Sequence, residues 1–218
     1  MAARSCVGAD RVFIATGDEA VAQAARAHSL QVLRTPVELP SGTARVAWAA
    51  RELPQQVRHV INVQADEPLL DPGAIDQLLQ ILADGWDMVT TVCAVEVDEW
   101  RSSSVVKAVV DQQGEARWFT RAPTPHRLAP QDDETVRAAL SAMPEICRHL
   151  GVYGFKRSAL ARWTEVSDSA VARHAGLEQL GALAAGWRIG AARVARPAGP
   201  AVDTPADLIK VRAQLVGR

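Results

Sequence analysis

Apolar and polar positions along this chain switch repeatedly between a strand period and a helix period, and the alternation predicts an α/β protein. Arg11 to Ala15 (RVFIA) is a short, β-branched apolar run, and Asp18 then opens an alanine-rich stretch with helical spacing to about His28. Leu30 to Leu33 predicts a second strand, after which Ser41, Gly42 and Thr43 introduce a helical stretch from Ala44 to Leu53. Val60 to Val63 predicts a buried strand. Asp71-Pro72 supplies an N-cap and a first-turn proline for an apolar helix that stops at Gly85. Met88 to Val95 predicts a strand, Val105 to Val110 and Ala116 to Phe119 a hairpin across Asp111-Gln112-Gln113-Gly114, and Gly151 to Phe155 a further strand. Helices are expected over Arg157 to Trp163 and Ala170 to Ala185, then a strand over Arg188 to Val194 and a last helix from Thr204-Pro205 through Leu215. The expected architecture is a mostly parallel sheet with helices on both faces and an antiparallel insertion between about Val105 and Arg148.

Composition narrows the class. The 218 residues are 48% hydrophobic, enough for one substantial core, and no linker, repeat or low-complexity tract divides them, so a single domain over 1–218 is expected. A net charge of -1 argues against nucleic acid as a partner, because phosphate-neutralising proteins carry a clustered basic excess. No apolar run approaches the roughly 20 residues of a membrane span, and the opening residues lack the apolar stretch of a signal peptide, so a cytoplasmic protein with no membrane partner is expected. Cys6, Cys93 and Cys147 are odd in number and lack CxxC spacing, which predicts free thiols.

The stretch that carries chemistry is Asn62-Val63-Gln64-Ala65-Asp66-Glu67-Pro68, an apolar strand ending in two carboxylates. Ligands of open α/β sheets bind at the carboxyl ends of strands, where Asp66 stands, and Mg²⁺ needs few protein oxygens beyond one or two carboxylates and substrate phosphates. Asp203, in Ala201-Val202-Asp203-Thr204-Pro205, also follows a strand and is a second candidate for the same ion. By chemistry alone the alternatives stay open: Asp66 and Glu67 equally fit a solvated turn, and Asp203 or Thr204 a helix cap.

Eight stretches share one pattern. Gln64-Ala65-Asp66-Glu67-Pro68 resembles the QGDEP, and Val202-Asp203-Thr204-Pro205 with Asp207-Leu208 the VDTPEDL, of 3-deoxy-manno-octulosonate (Kdo) cytidylyltransferases. Ala15-Thr16 sits where that family has ATD, Ser41-Gly42-Thr43 with Arg45 is similar to SGTxR, and Val106-Lys107 with Val109 to VKVV. Phe119-Thr120-Arg121-Ala122 resembles FSRA, Arg148 through Phe155 resembles RHLGIYGY, and Leu177 to Leu180 is LEQL. The matches run in register across nearly the whole chain.

The resemblance implies a Rossmann-like nucleotide-diphospho-sugar transferase fold and a homodimer formed by the insertion. The reaction would be CTP plus Kdo giving CMP-Kdo and pyrophosphate, for lipopolysaccharide assembly. Asp66 and Asp203 would hold Mg²⁺, with Lys107 as a further catalytic group. Ser41, Gly42, Thr43 and Arg45 would meet the nucleotide, and Gln64, Arg121, His149, Tyr153, Glu178 and Gln179 the sugar acid, whose hydroxyls and carboxylate suit those donors and acceptors. Singly, each of these side chains also fits an ordinary core or surface role. Gly17 replaces the aspartate of ATD, Ala65 the glycine of QGDEP, and Ser169 to Ala175 lacks the acidic residues the family places before LEQL. These departures leave open another sugar acid, such as sialic acid, or a non-catalytic binding protein. The family's PARxxSxRLPGKPL triphosphate loop has no counterpart among the ten residues before Arg11, which are too few for a strand, loop and crossover. Slow turnover is therefore expected of the chain as written.

Overall fold

The computed structural model describes residues 11–195, 201–202 and 204–216. Two short strands, β1 (Phe13–Thr16) and β2 (Gln31–Arg34), pair in parallel through α1 (Glu19–Ala27), which Asp18 caps by accepting from the Val21 N–H. The larger sheet holds β3 (His59–Asn62), β4 (Met88–Ala94), β5 (Lys107–Val110), β6 (Ala116–Thr120), β7 (Ile146–Lys156) and β8 (Ile189–Arg193). Its order is β6-β5-β7-β4-β8, with β3 pairing the second half of β7.

Helix and strand alternation is as the sequence predicts, but the sheet is mixed rather than mostly parallel. The cause is β7, eleven residues long, which leaves the insertion and runs antiparallel to β3, β4 and β5 together. Among the described residues, parallel hydrogen bonding is confined to β1 with β2 and β4 with β8. Between the partners of Thr90 and Thr91, β7 carries two extra residues, Gly151 and Val152. Such a bulge bends a strand and re-aims its side chains. At the other end, Glu115 bridges Gly190 and the Ala191 N–H donates to the Gly114 carbonyl, so the β5–β6 hairpin curls back onto β8.

Helices cover both faces. On one, α3 (Pro72–Ala83) buries Ala74, Ile75, Leu78 and Leu82 against Val89, Val152 and Ala192 of the sheet. Its start is the expected one, with Asp71 accepting from the Gly73 N–H and Pro72 in the first turn. Gly154 lets this helix approach, since a Cβ there would lie 2.8 Å from Leu82 Cδ1. The opposite face carries α2 (Gly42–Ala49), together with α6 (Arg157–Leu160), α7 (Trp163–Ser167), α8 (Ala170–Ala175) and α9 (Gln179–Ala184), which follow α4 (Val97–Arg101) and α5 (Asp133–Ser141) in the chain. The helix expected over Ala170 to Ala185 is two pieces, because Gly176 adopts a left-handed φ of 61° and ends α8. That break turns Glu178 and Gln179 inward at the start of α9. The last helix, α10, is Pro205–Val216.

Candidate functional site

On the face of α2 and α9, a chain of polar side chains lies inside the core. Asn62, the last residue of β3, donates from Nδ2 to Thr43 Oγ1 at 3.2 Å, and the Thr43 hydroxyl donates to Glu178 Oε1. Ser41 caps α2 by accepting from the Ala44 N–H, which turns Thr43 into the interior, where it is fully buried. Tyr153 OH donates to Gln179 Oε1 at 3.4 Å, which leaves the amide nitrogen as the free end. Burial, then the neighbouring Glu178 carboxylate, push the Tyr153 phenol up from its ordinary value and keep it a donor.

Two atoms of this cluster, Glu178 Oε2 and Gln179 Nε2, are buried without a hydrogen-bond partner among the described residues. An unpaired buried acceptor or donor costs about 1–3 kcal/mol, more when charged, so proteins seldom carry them without a use. An adjacent acceptor and donor suit a polar ligand bearing hydroxyls. His149 extends the cluster: its ring stands 5.5 Å from that of Tyr153 and 5.1 Å, edge-on, from Phe119, and its Nε2 is 2.8 Å from Thr90 Oγ1. Although part of the residue reaches the surface, desolvation lowers its pKa to about 3, so the imidazole is neutral.

The other expected residues divide. Gln64 folds back over the start of α2, where a Cβ on Gly42 would lie 2.6 Å from its Oε1, so any larger residue at 42 would push the Gln64 amide aside. Asp66 is exposed on the turn after β3, and its carbonyl accepts from the Val202 N–H at 2.8 Å, which brings Val202 against that turn. Asp203 itself lies outside the described residues. One exposed carboxylate at a strand end with a second segment tethered to it fits a hydrated Mg²⁺ held by one or two carboxylates and phosphates. Among the described residues no cluster of three or more His, Cys, Asp or Glu forms a closed metal cage.

Three cations are engaged elsewhere. Arg45 donates to Thr35 Oγ1 and to the Pro36 carbonyl at 2.8 Å, fastening the exit of β2 to α2. Arg121 is exposed and donates to the Ser104 carbonyl at 2.9 Å. Lys107 is turned away from this cluster. It is fully buried, and its three N–H groups go to the carbonyls of Ser102, Val105 and Arg121 at 2.7, 2.7 and 2.6 Å. Its neighbour Ala108 belongs to the core that holds Tyr153, so Lys107 points to the opposite face. An ammonium with all its donors used has none for a phosphate; burial and the nearby Arg121 charge lower its pKa to about 8. Thr43 is likewise an internal link, between Asn62 and Glu178.

Sequence reasoning passed over Asn62 and Thr90, both essentially inaccessible. The available signal was an amide ending the apolar run Val60-Ile61 and a threonine pair inside Met88-Val89-Thr90-Thr91-Val92, polar groups in strands otherwise destined for the core.

The family model described as Cytidylyltransferase matches residues 1–189. The 3-deoxy-manno-octulosonate cytidylyltransferase of Leptothrix cholodnii is 37% identical over 211 residues, spanning 94% of this chain and 76% of that protein. Its counterpart in an Anaeromyxobacter species is 38% identical over 215 residues, 98% of this chain and 82% of the relative. Among solved structures, a CMP:2-keto-3-deoxy-manno-octonic acid synthetase complexed with CTP superposes with a TM-score of 0.85 at 31% identity, covering 99% of this chain and 85% of that one.

Proposed function

This chain belongs to the family of 3-deoxy-manno-octulosonate cytidylyltransferases, and we propose that it transfers CMP from CTP to Kdo, releasing pyrophosphate. The observation that carries the reading is the pair of unpartnered buried atoms, Glu178 Oε2 and Gln179 Nε2, beside Tyr153 and His149. They present an acceptor and a donor where a polyhydroxylated acid needs both. Likeness to a synthetase whose solved structure contains CTP supports the nucleotide.

In the reaction, the anomeric hydroxyl of the sugar acid bonds to the α-phosphorus of CTP, the bond to the β-phosphate breaks, and the hydroxyl proton is lost. Glu178, Gln179 and His149 hold the sugar hydroxyls, and Tyr153 and Thr43 hold Gln179 and Glu178 in place. This fixes the attacking oxygen in line with the phosphorus, and such positioning supplies several kcal/mol of a displacement barrier. The start of α2, with Ser41 and Gly42, offers N–H groups to a phosphate. Asp66 and Asp203 would hold Mg²⁺, which supplies charge neutralisation for the departing pyrophosphate.

The same reading makes the protein cytoplasmic, a homodimer through the insertion, and a source of activated Kdo for lipopolysaccharide. Supporting it, no helix among the described residues is long and apolar enough to cross a membrane, and Trp118 on β6 is 48% exposed. A related sugar acid, such as sialic acid, is the second reading, left open by the absence of acidic residues across Ser169 to Ala175.

Pyrophosphate release tests the proposal, with Mg²⁺, each of the four nucleoside triphosphates, and Kdo or sialic acid. Release requiring CTP and Kdo together is expected. Preference for sialic acid would move the assignment to the second reading, and a folded protein that binds Kdo but releases nothing would make it a binding protein.

A further inference from the structure

Thr90 stands where β7 bulges. It is fully buried, and its hydroxyl oxygen lies 2.8 Å from His149 Nε2, 3.2 Å from the Val152 carbonyl and 3.4 Å from the Leu150 carbonyl. A hydroxyl has one proton to give, and both carbonyls only accept. With its proton turned to a carbonyl, the threonine oxygen has lone pairs left, and the partner on its remaining side must be the donor. His149 is that partner, and with the Thr90 proton on a carbonyl the donor role falls to Nε2. The ring has little freedom to do otherwise, because Phe119 stands edge-on to it at 5.1 Å and Tyr153 leans over it at 5.5 Å. Its hydrogen bond to Thr90 is the one the ring makes among the described residues.

We propose that Thr90 is a positioning residue that locks His149 in the Nε2–H tautomer and so presents Nδ1 as a hydrogen-bond acceptor to the sugar acid. The proposal rests on the reading above, in which His149 meets that substrate. It adds a polarity to the site: Nδ1 of His149 and Oε2 of Glu178 accept, and Nε2 of Gln179 donates. A ligand matching this set offers two hydroxyl protons and one acceptor oxygen, and an analogue lacking a hydroxyl would leave a buried acceptor unpaired. Sites built this way reject the deoxy analogue far more strongly than a missing methylene is rejected. The bulge contributes by setting the Val152 and Leu150 carbonyls where they orient the Thr90 hydroxyl, so the backbone irregularity of β7 is transmitted to one proton on one ring.

The test pairs a spectroscopic measurement with kinetics. Long-range ¹H–¹⁵N correlation spectra of the folded chain at neutral pH should show His149 as the Nε2–H tautomer, with Thr90→Ser giving the same pattern and Thr90→Val a mixture or the Nδ1–H form. In the pyrophosphate assay Thr90→Val should raise KM for the sugar acid about tenfold, the worth of roughly one hydrogen bond, while kcat and the KM for CTP change less than about twofold and Thr90→Ser stays near wild type. An Nδ1–H signal in the wild-type chain overturns the proposal without any variant, so a Thr90→Val protein that fails to fold does not shelter it. A normal sugar KM in Thr90→Val also overturns it. If no sugar acid supports turnover while the Nε2–H signal and its dependence on Thr90 are present, the substrate assignment fails and the positioning of the ring stands.

Discussion

The two faces of the central sheet both bury ionisable side chains, and they treat them in opposite ways. On the face of Lys107, the buried charges are all paired among the described residues. The ammonium gives its three protons to three carbonyls, and Arg148, opposite Lys107 in the β5–β7 pairing, meets Glu99 at 2.6 Å with both side chains largely buried. On the face of Tyr153, the network from Asn62 through Thr43 ends at Glu178 with one carboxylate oxygen unused, and the one from Tyr153 ends at Gln179 with its amide nitrogen unused. A closed network rigidifies a fold, whereas an open one costs stability and persists where a ligand completes it. Residue type does not separate the two cases: a lysine and an arginine on the first face look as suited to phosphate as anything on the second.

Substitution at the closed face should produce the largest effect, on folding rather than on substrate. Lys107→Met leaves three carbonyls without their donor and should lower unfolding stability by about 3 kcal/mol, with the folded fraction keeping its KM for both substrates. Denaturant melts read the first quantity and initial rates the second. A large rise in the KM for CTP at unchanged stability would break the comparison and return Lys107 to the site.

At the open face the pattern reverses. Glu178→Ala removes the unused acceptor along with the oxygen that accepts from Thr43, and kcat/KM for the sugar acid should fall by about 50- to 100-fold, corresponding to one charged hydrogen bond, while stability falls by only about 1 kcal/mol for the lost Thr43 bond. Equal losses in stability and activity would make Glu178 a structural carboxylate.

His149 sharpens the contrast through pH. Its folded pKa of about 3 lies below the ordinary value of 6.5, so between those values the unfolded chain binds a proton that the folded chain does not. Stability is therefore fully present above about pH 6.5 and is lost as pH falls towards 3, by up to roughly 1 kcal/mol per pH unit. His149→Phe should flatten that acid limb in melts recorded from pH 7 to 3.5. An unchanged slope would mean that the ring is hydrated.

The smallest effect is expected from Tyr153→Phe. Losing the 3.4 Å bond frees the Gln179 amide to rotate, and the sugar KM should rise about three- to fivefold with little change in stability. A steeper loss, matching Glu178→Ala, would place the phenol itself against the substrate.

Much of this was legible in the chain. Asp71-Pro72 and Gly85 bracket α3 because capping and left-handed turns depend on one or two residues. Val202-Asp203-Thr204-Pro205 and the turn at Gln64 to Pro68 mark the two segments that meet through Val202 and Asp66. The break in the helix after Ala175 was missed because Gly176 sits inside an alanine- and leucine-rich periodicity that outweighs one glycine. The antiparallel setting of β7 was missed because apolar period carries no strand direction.

What the sequence by itself determined is local and additive: strand and helix positions, caps, the α/β class, and the ordered motifs that identify the family. Only the tertiary structure decided which polar groups are satisfied and which are left open. Thr43 reaches Glu178 across 135 residues of chain, Thr90 reaches His149 across 59, and Tyr153 reaches Gln179 across 26. Satisfaction of a buried donor or acceptor is a property of a pair in space. No window of sequence contains both members, so a buried lysine and an open carboxylate become distinguishable only once the sheet has brought their partners to them.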